Sequence, residues 1–332
     1  MKPNTSANMS ANTMTWLLRR EFWEHKGSMF WAPVVVGALL VVLMGGILAY
    51  VITVHGYPEK LTMNFHPDGV PVHKAIMAAG MLATGAYMSA SAPLFAILTG
   101  VVFFYCLGAL YDERRDRSIL FWKSLPVSDP MTVLSKAITA MVVAPVITIA
   151  LIVVVALALI LIACVALGTH GQDISAKLLT SPELYLSPLR AAALLPVYVV
   201  WALPTVGWLL LVSSWAKSKP LLWAVGIPVV ALVVIKWINA ALENFAGQTL
   251  LLAHYANDVV VRILGGIVPG IWFTFPGNAP NAMYPTMHPI NAGGVLTISY
   301  RSLAGIDAWI GVAMGIAMLY AAMRMRRWRD EG

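Results

Sequence analysis

The chain has 332 residues, 59% of them hydrophobic and only 11% charged, with a formal net charge of +7. A soluble domain carries about 25% charged residues, so this composition excludes an ordinary soluble globular protein. The apolar runs are continuous rather than alternating, which excludes a transmembrane β-barrel. Several reach the ~20 residues that cross a bilayer, and the expectation is an all-α polytopic membrane protein.

Residues 1–13 are polar, small and aperiodic, and are read as a disordered tail. In residues 14–27, Trp16, Leu17, Phe22 and Trp23 alternate with Arg19, Arg20, Glu21, Glu24 and Lys26. That pattern suits an N-terminal helix lying in the membrane interface, with Trp16, Arg19, Arg20, Phe22 and Trp23 as its interfacial residues. The first span is expected over 29–54. A polar connection follows, then a weakly apolar stretch up to residue 90, read as a surface or re-entrant helix or as an upward extension of the next span.

The second span is expected over 92–111, the third over 137–168 with Pro145 available to kink it, and the fourth over 191–214 with Pro196 and Pro204 inside it. A short turn leads to the fifth span at 221–238, and a long connector leads to the last at 305–322, which ends in the basic tail 324–332. Residues 28–323 thus form one six-span domain.

Six spans put both termini on one side. Fifteen of the 22 Lys and Arg residues fall on that side, in the N-terminal flank, the 111–136 block, the turn at 215–220 and the C-terminal tail. Seven fall on the other: Lys60, Lys74, Lys177, Arg190, Lys236, Arg262 and Arg301. The positive-inside bias makes both termini and the block cytoplasmic and turns the connectors 55–90, 169–190 and 239–304 outward. Basic residues clustered beside spans set topology and meet membrane lipid, so no nucleic acid partner is expected.

No phosphate loop, H-E-x-x-H, G-x-S-x-G or C-x-x-C pattern occurs. Cys106 and Cys164 lie in apolar runs and read as small buried hydrophobes. His55, His66 and His73 share one connector but fit no compact ligand spacing, so no metal site is expected. Trp201, Trp208 and Tyr198 read as interface-belt and lipid-facing residues of the fourth span, with the lining of an apolar substrate path as the alternative. Gly311 and Gly315 form a weak G-x-x-x-G in the last. The spans hold almost no ionisable residues, unlike a proton- or sodium-coupled carrier. The chain therefore carries no energy source of its own.

Attention falls on residues 111–128, the densest charged block in the chain. Its first half mixes charge signs, and its second half carries Ile119, Leu120, Phe121 and Trp122. Glu113, Asp116, Arg114, Arg115 and Arg117 suit charge pairing with a partner, and the apolar run suits pocket-filling anchors. Pro126 would end the helix, and Ser128 or Asp129 would cap the next. The competing reading is a solvated loop that only sets topology.

The pattern Glu113-Arg114, Ser118-Ile119-Leu120, Trp122-Lys123 and Leu125-Pro126-Val127-Ser128 resembles the signature of ABC-2 type transporter permeases. In that family it follows the second of six spans and contacts the ATPase subunit. Segment 14–27 is similar to the family's interfacial elbow helix. The resemblance implies a cytoplasmic coupling helix carried by Glu113, Arg114, Arg115, Asp116, Arg117, Ser118, Phe121, Trp122, Lys123, Leu125 and Pro126. It implies two copies of a cytoplasmic ABC ATPase subunit and a second permease copy, identical or related. ATP and Mg would be bound by the ATPase, leaving this chain without a cofactor and without enzymatic activity. Export is the implied direction, along a path between the two permeases lined by the second and fifth spans. Scarce cysteine and no targeting peptide fit a bacterial inner membrane. The long outward connectors depart from a minimal six-span permease. The alternatives are a membrane-anchored sensor or assembly subunit that recruits a cytoplasmic protein without transport, and an intramembrane enzyme acting on lipid.

Overall fold

The structure, a computed structural model, describes residues 5–55, 72–116, 128–169, 175–246, 251–275 and 292–328. Every regular element among them is helical. In chain order these are α1 (Thr5–Glu24), a π turn (Gly27–Trp31), α2 (Ala32–His55), α3 (Val72–Gly108), α4 (Tyr111–Arg115) and α5 (Asp129–Ile138). A second π turn (Thr139–Val143), α6 (Ala144–Gly168), α7 (Ser175–Leu179), α8 (Pro182–Ala193), α9 (Leu195–Trp215) and α10 (Pro220–Ala246) follow. The chain ends with α11 (Leu251–Gly265), a 3-10 turn (Ile271–Thr274), α12 (Ala292–Arg301), a 3-10 turn (Ser302–Ala304) and α13 (Ile306–Trp328). Six helices are long and apolar enough to cross a bilayer, as in a multi-pass membrane protein.

The chain divides into two compact units. One comprises Gly27–Leu98 and Pro145–Leu194. Its core is made by small residues of α3, with Ala79, Ala83 and Ala90 each no more than 1% exposed. They recur about once per helical turn, so one face of α3 lies close against Ile152, Ala156, Leu159 and Ile160 of α6. Gly37 and Gly45 do the same for α2, where an added Cβ would run into Val155 and Ile162. The Tyr87 hydroxyl donates to the Leu184 carbonyl at 3.2 Å and ties α3 to α8.

The other unit comprises Met1–Lys26, Thr99–Ala144 and Leu195–Gly332. Its axis is α9, with Val197, Trp201, Ala202, Val206, Leu209, Leu210 and Val212 all at 1% exposure or less. Helix α13 runs along it in the same direction: Trp201 Nε1 donates to Ser302 Oγ (3.2 Å), and farther along Gly207 meets Gly315. On the early part of α9, Thr205 Oγ1 donates to the carbonyl of Arg262 at the end of α11 and accepts from the amide of Gly266. Gly266 has no room for a side chain, because its Cβ would strike the Trp201 carbonyl.

Several boundaries differ from the sequence expectation. α1 begins at Thr5, inside the stretch read as a tail. α3 is one 37-residue helix, so the weakly apolar stretch before residue 90 is an extension of the second span. The third helical segment starts at Asp129, eight residues before the expected span. Pro145 makes no sharp stop there. It lacks the amide that would bond back one turn, and the π turn just before it absorbs the misfit. The fourth expected span divides at Leu194, two residues before Pro196, which has no amide to bond back into α8. The connector 239–304 contains the last turns of α10 together with α11 and α12, and α13 runs on through Arg327 into the expected tail.

Candidate functional site

Six charged residues of the second unit converge on one end of its helices. Leu17 and Glu21 lie one turn apart on the same face of α1, and both are buried, at 1% and 0% exposure. A bare buried carboxylate would be very unfavourable, so Glu21 needs partners. Its Oε1 accepts from Lys136 Nζ of α5 at 3.0 Å and from Arg20 at 2.9 Å. Its Oε2 accepts from the Tyr105 hydroxyl at the end of α3, at 2.9 Å. His25 closes over this corner, its ring edge-on to Tyr105 at 4.9 Å.

Lys136 is itself only 2% exposed and makes a second pair, 2.9 Å to Glu113 Oε1 of α4. The other oxygen of Glu113 accepts from Arg326 Nη1 of α13 at 2.9 Å, and Arg326 Nε donates to Asp129 Oδ1 of α5 at 3.2 Å. Arg20 Nη2 stands 3.7 Å from Glu113. Three cations, Arg20, Lys136 and Arg326, thus interleave with three carboxylates, Glu21, Glu113 and Asp129. Each carboxylate partner comes from a different turn or helix, so the network joins α1, α4, α5 and α13. Burial pushes the Glu21 carboxyl up, but the adjacent Lys136 ammonium, then Arg20 and the Tyr105 hydrogen bond, outweigh it and hold the group below its ordinary value.

Arg114, beside Glu113, points to a different helix. Its Nη2 donates to the carbonyls of Ser213 (2.7 Å) and Ala216 (2.9 Å) at the end of α9. Those are carbonyls a helix C-terminus leaves without intrahelical donors. In return Ser213 Oγ accepts from the amides of Leu110 and Tyr111, at 3.0 and 2.9 Å, and caps the start of α4. The two residues at the head of the charged block therefore hold opposite sides: Glu113 the α1–α5–α13 cluster, Arg114 the end of α9.

The remaining expected site residues divide clearly. Arg115 and Asp116 are exposed and lie 3.5 Å apart. Arg117, Ser118, Phe121, Trp122, Lys123, Leu125 and Pro126 lie outside the described residues. Ser128 occupies the N-cap of α5 without a side-chain cap bond, while Asp129 serves Arg326. On α1, Trp16, Arg19 and Trp23 face outward, Phe22 is half-buried with its ring edge-on to Trp23, and Arg20 turns inward. Glu21, Glu24 and His25 bring ligand-type atoms within 4.8 Å of one another. Both oxygens of Glu21 are occupied by Lys136, Arg20 and Tyr105, as in an ion-pair site.

Sequence reasoning did not find Glu21, Lys136 or Arg326 as a group. The available signals were small: Glu21 follows Leu17 at helical spacing, and Lys136 heads a long apolar run. A third buried cation, Arg262, reads in the sequence only as a connector charge. It donates to the carbonyls of Asp307 and Ala308, lies 4.4 Å over the Trp201 ring and fills the space a side chain at Gly311 would need.

Compared with family models, with curated proteins and with solved structures, the chain matches none.

Proposed function

We propose that the chain is the membrane subunit of an ATP-driven transporter of the ABC-2 type, an exporter whose nucleotide is bound and hydrolysed by a separate ATPase subunit. In this reading residues 111–128 face the cytoplasm and receive the ATPase. Two permease copies and two ATPase copies make the working unit, in a bacterial inner membrane. The observation that carries the reading is the double attachment of the head of that block. Glu113 is bound to Lys136 and Arg326, while Arg114 is bound to the last carbonyls of α9. A push on the block is therefore delivered to α5, α13 and α9 together, as a transmission element requires. A loop that merely sets topology has no need of buried pairs. The meeting of Glu21, Glu113, Ala216 and Arg326 also supports the expected topology, since these belong to the four segments assigned to the cytoplasmic side.

The test is purification of the protein from its native membrane in mild detergent, followed by an ATPase assay on the eluate. A nucleotide-hydrolysing subunit is expected to co-purify. Phe121→Ala/Trp122→Ala is expected to release it, and Glu113→Gln to retain it while abolishing the response of hydrolysis to the permease. If no nucleotide-binding subunit accompanies the wild-type protein, the transport reading fails and a sensor or assembly role replaces it.

A further inference from the structure

At the same end of this unit, bases that take no part in the buried network stand on the surface. Glu21 and Glu113 are 0% and 11% exposed at their side chains, and Asp129 is bound to Arg326. The bases left on the surface stand beside aromatic rings. On α1 and just past its end, Trp16, Arg19, Trp23 and Lys26 follow one another at intervals of three and four residues, so they form one stripe. Trp16 and Trp23 are 50% and 56% exposed, and Lys26 Nζ lies 5.2 Å over the Trp23 ring. The arrangement recurs on α13, where Arg324 lies 5.5 Å over the exposed Tyr320 ring and donates to its hydroxyl at 3.0 Å. Among the described residues, the exposed acids nearby are Glu24, Asp112 and Asp116. Glu24 is tied to Arg20, Asp116 to Arg115, and Asp112 sits at the start of α4.

We propose that these two aromatic–basic faces form a binding surface for the phosphate headgroups of acidic phospholipid. Three features select that occupant. The Glu21 and Glu113 pairs hold α1 against the ends of the apolar helices, which is the level at which headgroups lie. Exposed Trp and Tyr favour that interfacial zone. Lys and Arg held on such rings keep their charge at the surface and attract anionic lipid. The inference rests on α1 and α13 alone and does not depend on transport.

The test is reconstitution of the full chain with spin-labelled phosphatidylglycerol or phosphatidylcholine, reading the fraction of motionally restricted lipid. Phosphatidylglycerol is expected to be preferred several-fold, and Arg19→Gln/Lys26→Gln/Arg324→Gln is expected to remove most of that preference. The thermal unfolding midpoint of this variant should be unchanged, because none of the three residues belongs to the buried network. Adding salt should weaken the preference in the wild type. Three outcomes overturn the proposal. One is equal restriction of both lipids. Another is a preference untouched in the triple variant. The third is displacement by free glycerol phosphate at concentrations comparable to the lipid, which would mark a soluble anion site. If the triple variant instead loses a soluble protein partner while keeping its lipid preference, the surface is a protein interface and the proposal is wrong.

Discussion

Lys136 and Glu21 form an ion pair 3.0 Å long in which the side chains are 2% and 0% exposed. Removing one member of such a pair weakens the compensation of the buried charge that stays. Lys136→Met takes a cation from two carboxylates, leaving Glu21 with Arg20 and Glu113 with Arg326, and is expected to cost about 3 kcal/mol. A large drop in the thermal unfolding midpoint of the detergent-solubilised protein would show it. Lys136→Met/Glu21→Gln, which removes one of the under-compensated charges, should recover part of the loss. Equal midpoints for wild type and Lys136→Met would mean the network carries no stability.

Acid should release the same corner. Glu21 is held below its ordinary value of 4.5, with Lys136 the main cation responsible against the opposing effect of burial. A depressed folded-state value means that the unfolded chain binds the proton first. The contribution of Glu21 is therefore complete at neutral pH and is lost as pH falls from about 4.5 through the folded value. Unfolding midpoints measured from pH 7 downward should fall less steeply in Glu21→Gln than in the wild type. Identical slopes would contradict the assignment.

Gly315 approaches Gly207 so closely that a Cβ on Gly207 would stand 2.7 Å from the Gly315 carbonyl oxygen. A Cβ on Gly315 would stand 2.8 Å from Leu203 Cγ and 2.9 Å from its backbone. Backbone cannot step aside as a flexible side chain can, so Gly207→Ala and Gly315→Ala should each destabilise by about 1–3 kcal/mol. Gly226, in α10, has nothing within 4 Å of such a Cβ. Gly226→Ala should be neutral or stabilising by about 0.5–1 kcal/mol, since glycine costs that much inside a helix. The contrast, read by thermal unfolding, separates close packing from a general intolerance of alanine.

Arg262 uses its planar guanidinium in two ways, donating to the Asp307 and Ala308 carbonyls and stacking on Trp201. A lysine ammonium cannot reproduce that fork. Arg262→Lys should therefore destabilise nearly as much as Arg262→Gln, by about 1.5–3 kcal/mol. Full rescue by lysine would show that only the charge matters.

What the sequence reveals depends on the range of the interactions. The runs at 29–54 and 221–238 are apolar without interruption, and α2 and α10 follow them. The early part of α3 is harder to read. It is rich in Ala, Gly and Ser, its hydropathy is modest, and Pro93 resembles a helix start. Its helix is held by alanines that let α6 approach. The charge network leaves almost no local trace. Glu113 and Arg326 are 213 positions apart, and each charge alone looks like a topology signal. The block at 111–116 stood out because its charges are adjacent, yet its partners within the chain came from helices that no local pattern connects. Gly311 and Gly315 formed only a weak motif, and the occupants of the two gaps, Arg262 and Leu203, could not be read from it.

The charge network also bears on how the protein is made. Glu113 meets Arg20 and Lys136 from segments that precede it or follow it closely, but its remaining partner, Arg326, lies 213 positions farther along the chain, in α13. Until α13 is inserted, Asp129 lacks that arginine as well, and the glycine face of α9 at Gly207 has nothing against it. A chain in which α13 fails to insert therefore presents both surplus negative charge and a bare packing groove. Closure of the network thus depends on the insertion of α13.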